Sequence, residues 1–388
     1  MANGHDDAQN RDDPERAAAS AGLAYVNDNE PGFSRQRARR GFSYRDVDGR
    51  LIKDAKTLTR IRKLAIPPAW TSVWICAQAN GHIQAIGRDA RGRKQYRYHP
   101  TFRQIRDTNK FEHMLPFARA LPHIRKAVAA HMALKGLPRE KVLGSIVQLL
   151  ESTLIRVGND EYAKGNRSFG LTTLRNRHVN VDGGVLRFNF SGKGGKTWRL
   201  DVNNRRVAKV VRACQELPGQ RLFQYCDEQG APREITSSDV NNYLREVSGR
   251  DITAKDFRTW HGTVCAAVTL HELGDGDHSK SILKEAIARV AAKLGNTPTI
   301  CRKCYVHPAI IESFETGKLS LRFGKNGTSA AIDLRAEERA VLHFLERRLR
   351  RNLKDRLRAS LAAERKSRPR HAGRMMKQTR RTNDQVAA

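Results

Sequence analysis

The sequence predicts an α+β fold: a small β-rich N-terminal domain, then a mainly α-helical domain that contains a three-stranded antiparallel sheet. Three observations carry this expectation. Between about 41 and 110, short strand-like runs are separated by turns rich in Gly and Asn. From about 111 the apolar residues recur at helical spacing. Residues 178–202 interrupt the helical stretch with three strand-like runs and two tight turns.

The elements are expected in the following order. Residues 1–30 are rich in Asp, Asn and Ala and poor in large apolar groups, and 31–40 (PGFSRQRARR) turn basic, so 1–40 reads as a disordered polar and basic segment. Ordered sequence is expected from Gly41-Phe-Ser-Tyr-Arg. A helical piece at 55–64 precedes two strands, Val73-Trp-Ile-Cys-Ala and His82-Ile-Gln-Ala-Ile-Gly, joined by Asn80-Gly81, a strong hairpin signal. The turn Asp89-Ala-Arg-Gly-Arg leads into Lys94-Gln-Tyr-Arg-Tyr-His-Pro100. Helical periodicity then runs over 111–134, interrupted by Pro116 and Pro122, and over 140–162, with Gly158-Asn159 loosening the helix just past Arg156. After the three strands, Lys193 stands at the second turn, Gly192-Lys-Gly-Gly-Lys, and helices are expected at 203–216, 238–247, 254–273 and 279–294. Thr297-Pro298 reads as an N-cap and first helical position, opening a helix that carries Tyr305 before Pro308 ends it. Beyond about 335 one long Arg-rich helix has Leu345, Leu349, Leu353, Leu357 and Leu361 at every fourth position, followed by a basic tail. The expected divisions are 1–40, 41–110, 111–334 and 335–388.

The charge narrows the function. The 388 residues hold 72 Lys plus Arg against 40 acidic residues, a net charge of +32, which is the electrostatic footprint of a nucleic-acid binder. A nonspecific basic protein is expected to show low-complexity basic runs throughout, whereas the middle of this chain is ordinary globular sequence. No window approaches the roughly 20 apolar residues that span a bilayer. Met1-Ala-Asn-Gly-His-Asp-Asp lacks the basic and apolar regions of a secretory signal, so a cytoplasmic, nucleoid-associated location is expected. The six cysteines are scattered and form no disulfide framework. Cys301, Cys304 and His307 have one half of a zinc-type spacing without a second ligand pair, so no metal and no cofactor is expected.

A few polar residues stand in motif-like settings: Arg156, Lys193, Lys255, Arg258, Asn296 and Tyr305. Their types suit metal-free attack on a DNA phosphodiester. Charge grows on the non-bridging oxygens as phosphorus becomes five-coordinate, and guanidinium groups answer it because they stay charged and offer planar paired donors. Tyrosine, with a pKa near 10, is a poor nucleophile until its anion is stabilised, which a cationic pocket achieves. A deoxyribose hydroxyl leaves badly unless protonated, and a lysine lifted on a Gly-flanked hairpin is placed to protonate it. An asparagine adds a neutral donor to a phosphate oxygen. Singly, each residue is ordinary: a helix tyrosine is usually half-buried core, a lone arginine a surface charge, and a Gly-Lys-Gly-Gly turn simply a turn. It is not a phosphate-binding P-loop, whose spacing and following helix are absent.

Order and spacing together give Leu154-Ile-Arg156-Val-Gly-Asn, Phe190-Ser-Gly-Lys193, Lys255-Asp-Phe-Arg258-Thr-Trp-His-Gly and Leu294-Gly-Asn296-Thr-Pro-Thr-Ile-Cys-Arg-Lys-Cys-Tyr305. Over about 40–320 the chain resembles a type IB DNA topoisomerase of the small poxvirus-like kind found in bacteria. The resemblance implies that 111–334 is the catalytic domain and 41–110 a DNA clamp, closing as a monomer around double-stranded DNA. It implies that Tyr305 forms a 3′-phosphotyrosyl link, Arg156 and Arg258 stabilise the transition state, Lys193 protonates the 5′-oxygen and Lys255 assists. Asn296 stands where many relatives have His, so any role needing a charged imidazole is open. His261 is expected to be structural.

Gly92-Arg-Lys-Gln-Tyr96-Arg-Tyr98 resembles the family's DNA-contacting strand. Arg93, Lys94, Gln95, Tyr96 and Tyr98 are therefore candidate DNA contacts, with Tyr162 a further one. Two other readings stay open on the residues: a site-specific tyrosine recombinase, which shares most of the constellation, and a non-enzymatic DNA-compacting protein, which the charge and tail alone would suit.

Overall fold

In the N-terminal part, alternation and turn chemistry build one sheet. The computed structural model describes residues 14–90, 92–274, 277–323 and 334–367. Helix α1 (Pro14–Ser20) precedes strands β1 (Gly32–Arg37) and β2 (Phe42–Arg45), helix α2 (Ala55–Lys63), and strands β3 (Thr71–Cys76), β4 (Ile83–Arg88) and β5 (Lys94–Tyr98). The strands form a five-stranded sheet in the order β2-β1-β3-β4-β5, and every neighbouring pair is antiparallel. Asp54 caps α2 by accepting from the Thr57 amide at 2.7 Å, and the helix buries Ile61 with Val73, Ile75 and Ala85.

The expectation of disorder over 1–40 is corrected in part. Residues 32–37 form β1, next to β3 in the sheet, and 14–20 form α1, whose Ala17 and Ala18 pack on Phe102. The sequence of β1 is polar because its order comes from neighbours. The Trp74 indole lies so close to Gly32 that a Cβ there would overlap Nε1, and that nitrogen donates to the Glu30 carbonyl at 2.9 Å. Residues 1–13, and the tail from 368, lie outside the described residues.

The second part is mainly helical. It runs through α3 (Pro100–Glu112), α4 (Met114–His131), α5 (Arg139–Thr153) and α6 (Asp160–Asn166), then strands β6 (Val179–Asp182), β7 (Val185–Ser191) and β8 (Thr197–Asn203). Helix α7 (Arg205–Gln215), the short hairpin β9 (Gln224–Cys226) and β10 (Pro232–Glu234), α8 (Ser237–Ser248), α9 (Ala254–Leu273), α10 (Lys280–Leu294), α11 (Pro298–Cys304), α12 (Pro308–Glu315) and α13 (Ala336–Ser367) follow. Strands β6, β7 and β8 make the expected three-stranded antiparallel sheet, with Phe190 opposite Trp198. One continuous core runs from Phe111 to Leu345, with Phe117, Phe257 and Trp260 at its centre, each fully buried.

The long C-terminal helix is bolted to this core by charge. Arg125 on α4, itself buried, donates to Glu151 on α5 at 2.6 Å and to Glu338 on α13 at 2.9 Å, while Arg335 reaches Glu151 at 3.1 Å. Burial works against the Glu338 carboxylate, yet the Arg125 pair holds its pKa below the ordinary value. No described helix is long and apolar enough to cross a membrane.

Two helix ends differ from expectation, and both matter for the site. The helix expected over 140–162 stops at Thr153, because Leu154 turns left-handed (φ 57°) and the Thr153 hydroxyl accepts from the Ile155 amide at 3.2 Å. Arg156 therefore sits on an extended segment. Helix α11 ends at Cys304, so Tyr305 is its C-cap, with the amide still bonded to Cys301 O at 3.0 Å.

Candidate active site

The extended segment around Arg156 is held by its neighbour rather than by a helix. The Arg156 and Val157 carbonyls accept from the amides of Leu171 (2.9 Å) and Thr172 (2.7 Å). The two strands of backbone come so close that a Cβ on Gly170 would lie 2.5 Å from the Arg156 carbonyl oxygen. Glycine is required there by contact, and at Gly158 by a φ of +115°.

Helix α9 supplies the second arginine. Thr253 and Asp256 form a capping box, with the Asp256 carboxylate accepting from the Thr253 amide at 2.8 Å. Burial raises the Asp256 pKa. Lys255 is exposed beside it, and Arg258 lies one turn further in, buried. The Arg258 guanidinium donates to the Leu154 carbonyl and, at 2.6 Å, to the Leu294 carbonyl, so the ends of α5 and α10 hold it. Burial, and next the charge of Arg156, lowers the Arg258 pKa from its ordinary value. The guanidinium carbon lies 5.2 Å from the Tyr305 ring centroid, and a side-chain hydrogen bond joins the two residues.

Tyr305 is set against α9 through Gly262 and Thr263. A Cβ on Gly262 would stand 2.8 Å from Tyr305 O, and Thr263 Oγ1 donates to that same oxygen at 3.1 Å. Asn296 follows the left-handed C-cap Gly295 of α10, and its Oδ1 accepts from Arg156 Nη2 at 2.5 Å. Its Nδ2 is buried with no hydrogen-bond partner, as is Arg258 Nε. Lys193 is exposed in the β7–β8 turn, where Gly194 and Gly195 take φ of 78° and 77°.

These pieces meet in one cavity of about 370 Å³, lined by Arg156, Lys193, Lys255, Arg258 and Tyr305, with Arg93 arriving from the N-terminal part. Asn296 joins them through Arg156. Among the described residues, the lining has five cations and no carboxylate. Residues that sequence reasoning missed also line it, Asn159, Asn166, Ser168 and Phe169 among them; the sequence signal near them was Gly158-Asn159. A larger groove, about 830 Å³, borders α11 among Phe111, Leu283, Ile287 and Ile311 and contains none of the six predicted site residues.

His261 does not line the cavity. Its Nδ1 pairs with the Phe257 carbonyl at 3.0 Å, its Nε2 is buried with no hydrogen-bond partner, and the imidazole lies in a group with Glu151 and Glu338. His307 is used as a helix cap, its Nδ1 accepting from the Ala309 amide at 3.1 Å, and burial lowers its pKa to about 4.

The candidate DNA strand β5 is divided between two faces. On one, Arg93 pairs with Asp89 at 2.7 Å and Gln95 donates to the same carboxylate at 3.0 Å, and Gln95 does not line the cavity. On the other, Lys94 pairs with Asp28 at 2.7 Å and lies 5.9 Å from the Tyr96 ring centroid. Tyr96 and Tyr98 stack at 5.9 Å; Tyr96 is exposed, whereas Tyr98 packs on Phe102. Tyr162 falls on α6, and its side chain lies outside the described residues.

The family description "Eukaryotic DNA topoisomerase I, catalytic core" matches residues 99–324, more than half of the chain, and "Bacterial DNA topoisomerase IB, N-terminal domain" matches 41–89. The DNA topoisomerase 1B of Acanthamoeba polyphaga mimivirus is 32% identical over 294 residues, covering 73% of this chain and 88% of the relative. The DNA topoisomerase 1B of vaccinia virus (strain Copenhagen) is 21% identical over 286 residues, covering 68% of this chain and 87% of the relative. The chain therefore belongs to the type IB DNA topoisomerases, enzymes whose substrate is DNA.

Proposed function

We propose that the cavity relaxes supercoiled duplex DNA by cutting and resealing one strand through Tyr305, as a monomer, with neither ATP nor metal. The Tyr305 phenolate oxygen attacks phosphorus. The bond to the 5′-oxygen breaks, Lys193 gives that oxygen its proton, and a 3′-phosphotyrosyl link remains. After the free end swivels, the 5′-hydroxyl attacks phosphorus, the tyrosyl bond breaks and the proton returns. The phosphotyrosyl bond conserves the energy of the broken one, so no nucleotide is consumed.

The observation that carries this reading is a cavity with five cations, no carboxylate, and a tyrosine ring against a buried guanidinium. Arg156 and Arg258 supply fixed positive charge where the five-coordinate phosphorus develops negative charge, and such preorganised charge contributes more to the rate than any other single effect in many enzymes. The buried, unpartnered Asn296 Nδ2 and Arg258 Nε are donors that a phosphate oxygen would satisfy. Lys255, exposed at the rim, assists the proton path or the phosphate. Arg93, Lys94, Gln95, Tyr96, Tyr98 and Tyr162 contact the duplex around the cut.

The test is relaxation of supercoiled plasmid in EDTA without ATP, wild type beside Tyr305→Phe, with denaturing capture of protein-linked DNA. Wild type is expected to relax DNA and leave a 3′-linked adduct, and the variant to bind DNA and do neither. Relaxation by Tyr305→Phe would remove the nucleophile assignment. Strand exchange between defined sites, without relaxation, would identify a recombinase, and binding without any adduct a compacting protein.

A further inference from the structure

Lys193 and Asn296 are far apart in the chain, yet each follows a glycine, and both glycines are pressed against the same side chain. A Cβ on Gly192 would stand 2.7 Å from Cδ1 and Nε1 of Trp198. A Cβ on Gly295 would stand 2.7 Å from Cζ2 of the same indole. The five-membered part of the ring's nitrogen-bearing edge therefore touches the Lys193 turn, and the adjoining six-membered part of the same edge touches the Asn296 turn. The ring itself is fixed by the sheet: Trp198 is the cross-strand partner of Phe190, and the two rings are parallel within 2° at 6.2 Å.

What lies beyond each glycine gives this contact its meaning. Gly192 closes the turn through its amide to Lys196 O at 2.8 Å, and Lys193 follows it into the cavity. On the other side, the residues flanking Gly295 hold both arginines: Leu294 O accepts from Arg258 at 2.6 Å, and Asn296 Oδ1 accepts from Arg156 at 2.5 Å. The Lys193 turn is exposed, and no carboxylate among the lining residues of the cavity is there to anchor Lys193. The indole is one rigid body in contact with both that turn and the loop that fixes the arginines.

We propose that Trp198 is a positioning residue for strand cleavage: its indole sets the distance between the Lys193 turn and the Asn296 loop, so that the proton donor and the phosphate clamp meet at one scissile bond. The proposal rests on the proposed roles of Lys193 and Asn296. It also explains the two glycines. Gly295 has a second reason in its φ of +61°, but Gly192, at φ −98° and ψ −168°, has an ordinary extended backbone, and the indole is the obstacle to a side chain there.

The experiment is single-turnover cleavage of an ordinary DNA strand and of one with sulfur replacing the 5′-bridging oxygen, a leaving group that needs no proton. With Trp198→Ala, cleavage of the ordinary strand is expected to slow by about 10²-fold, the lower end of what a positioned proton donor contributes. The sulfur substrate is expected to return to within a few-fold of wild type, with DNA affinity little changed. Gly192→Ala, which keeps the indole but pushes it, is expected to show the same selective loss and serves if Trp198→Ala folds poorly. Equal slowing of both substrates in these variants would overturn the proposal, because it would mean general loss of structure. Lys193→Ala tests the acid separately: failure of sulfur to rescue it removes the acid role of Lys193 whatever Trp198 does. In that case the proposal is judged by a double-mutant cycle of Lys193→Ala with Asn296→Ala. Non-additive effects that vanish in Trp198→Phe support it; additive effects with Trp198 in place overturn it.

Discussion

In the helical part, the guanidiniums of Arg156 and Arg258 are held by neutral acceptors: the Asn296 amide oxygen, and the Leu154 and Leu294 carbonyls. In the N-terminal sheet, Arg93 and Lys94 are held by carboxylates, Asp89 and Asp28. Both arrangements fix a side chain, but with different consequences. A cation held by a carbonyl keeps its charge for a third party, whereas a cation held by a carboxylate is largely neutralised until the pair opens. The helical part thus tolerates a buried guanidinium whose pKa falls, and gains field at the phosphate. At β5 the sheet instead sets one carboxylate beside each of these two cations.

The sharpest way to break this contrast is Arg258. Arg258→Ala is expected to slow cleavage of bound DNA by about 10²–10³-fold, as removal of a positioned donor to developing charge does, while DNA affinity changes only a few-fold. Arg258→Lys is expected to lose nearly as much, because one ammonium cannot bond Leu154 O and Leu294 O and still face Tyr305. Single-turnover rates near wild type for the lysine variant would show that charge alone suffices. A smaller effect tests the sheet. Asp28→Asn releases Lys94, and is expected to tighten DNA binding a few-fold at low salt and to steepen the slope of log affinity against log salt by about 0.9. An unchanged slope in a salt titration would mean that Lys94 does not meet phosphate.

The smallest expected effect is on stability in acid. Burial lowers the pKa of His178 and His307, both in the helical part, to about 4, well below the ordinary histidine value of 6.5. Between those values the unfolded chain binds the protons and the folded chain does not, so this contribution is complete above about 6.5 and is lost as pH falls toward about 4. In the sheet, the Lys94 hydrogen bond lowers the Asp28 pKa below 3.8, so its contribution is lost only at lower pH. Amide exchange during acid titration is expected to loosen the helical part first. Simultaneous loosening would show that the two parts unfold as one unit.

How far the sequence was legible follows from where the information lies. The helices at 238–247, 254–273 and 279–294 and the strands around Lys193 were readable because their apolar spacing and turn residues are local. Strand β1 was not, since its order depends on Trp74, a partner far along the chain. The β9–β10 hairpin was missed because each strand has only 3 residues, too short to show alternation. In the cavity, the polar residues with motif spacing were legible, and Arg156, Lys193, Lys255, Arg258 and Tyr305 do meet. What supports them was not: Gly170 and Gly262 act through contacts with backbone that no local pattern encodes.

The ion pairs at the start of α13 also have a meaning in time. During synthesis Arg125 emerges with Glu151 soon after it, whereas Glu338 leaves the ribosome roughly two hundred residues later. Until then the core around α4 carries a guanidinium short of one of its two carboxylates, so the nascent helical part stays incompletely sealed although all six predicted site residues have already been made. Completion of the enzyme is thus tied to arrival of α13, and a chain stalled before 338 would keep the full set of site residues on an unfinished scaffold.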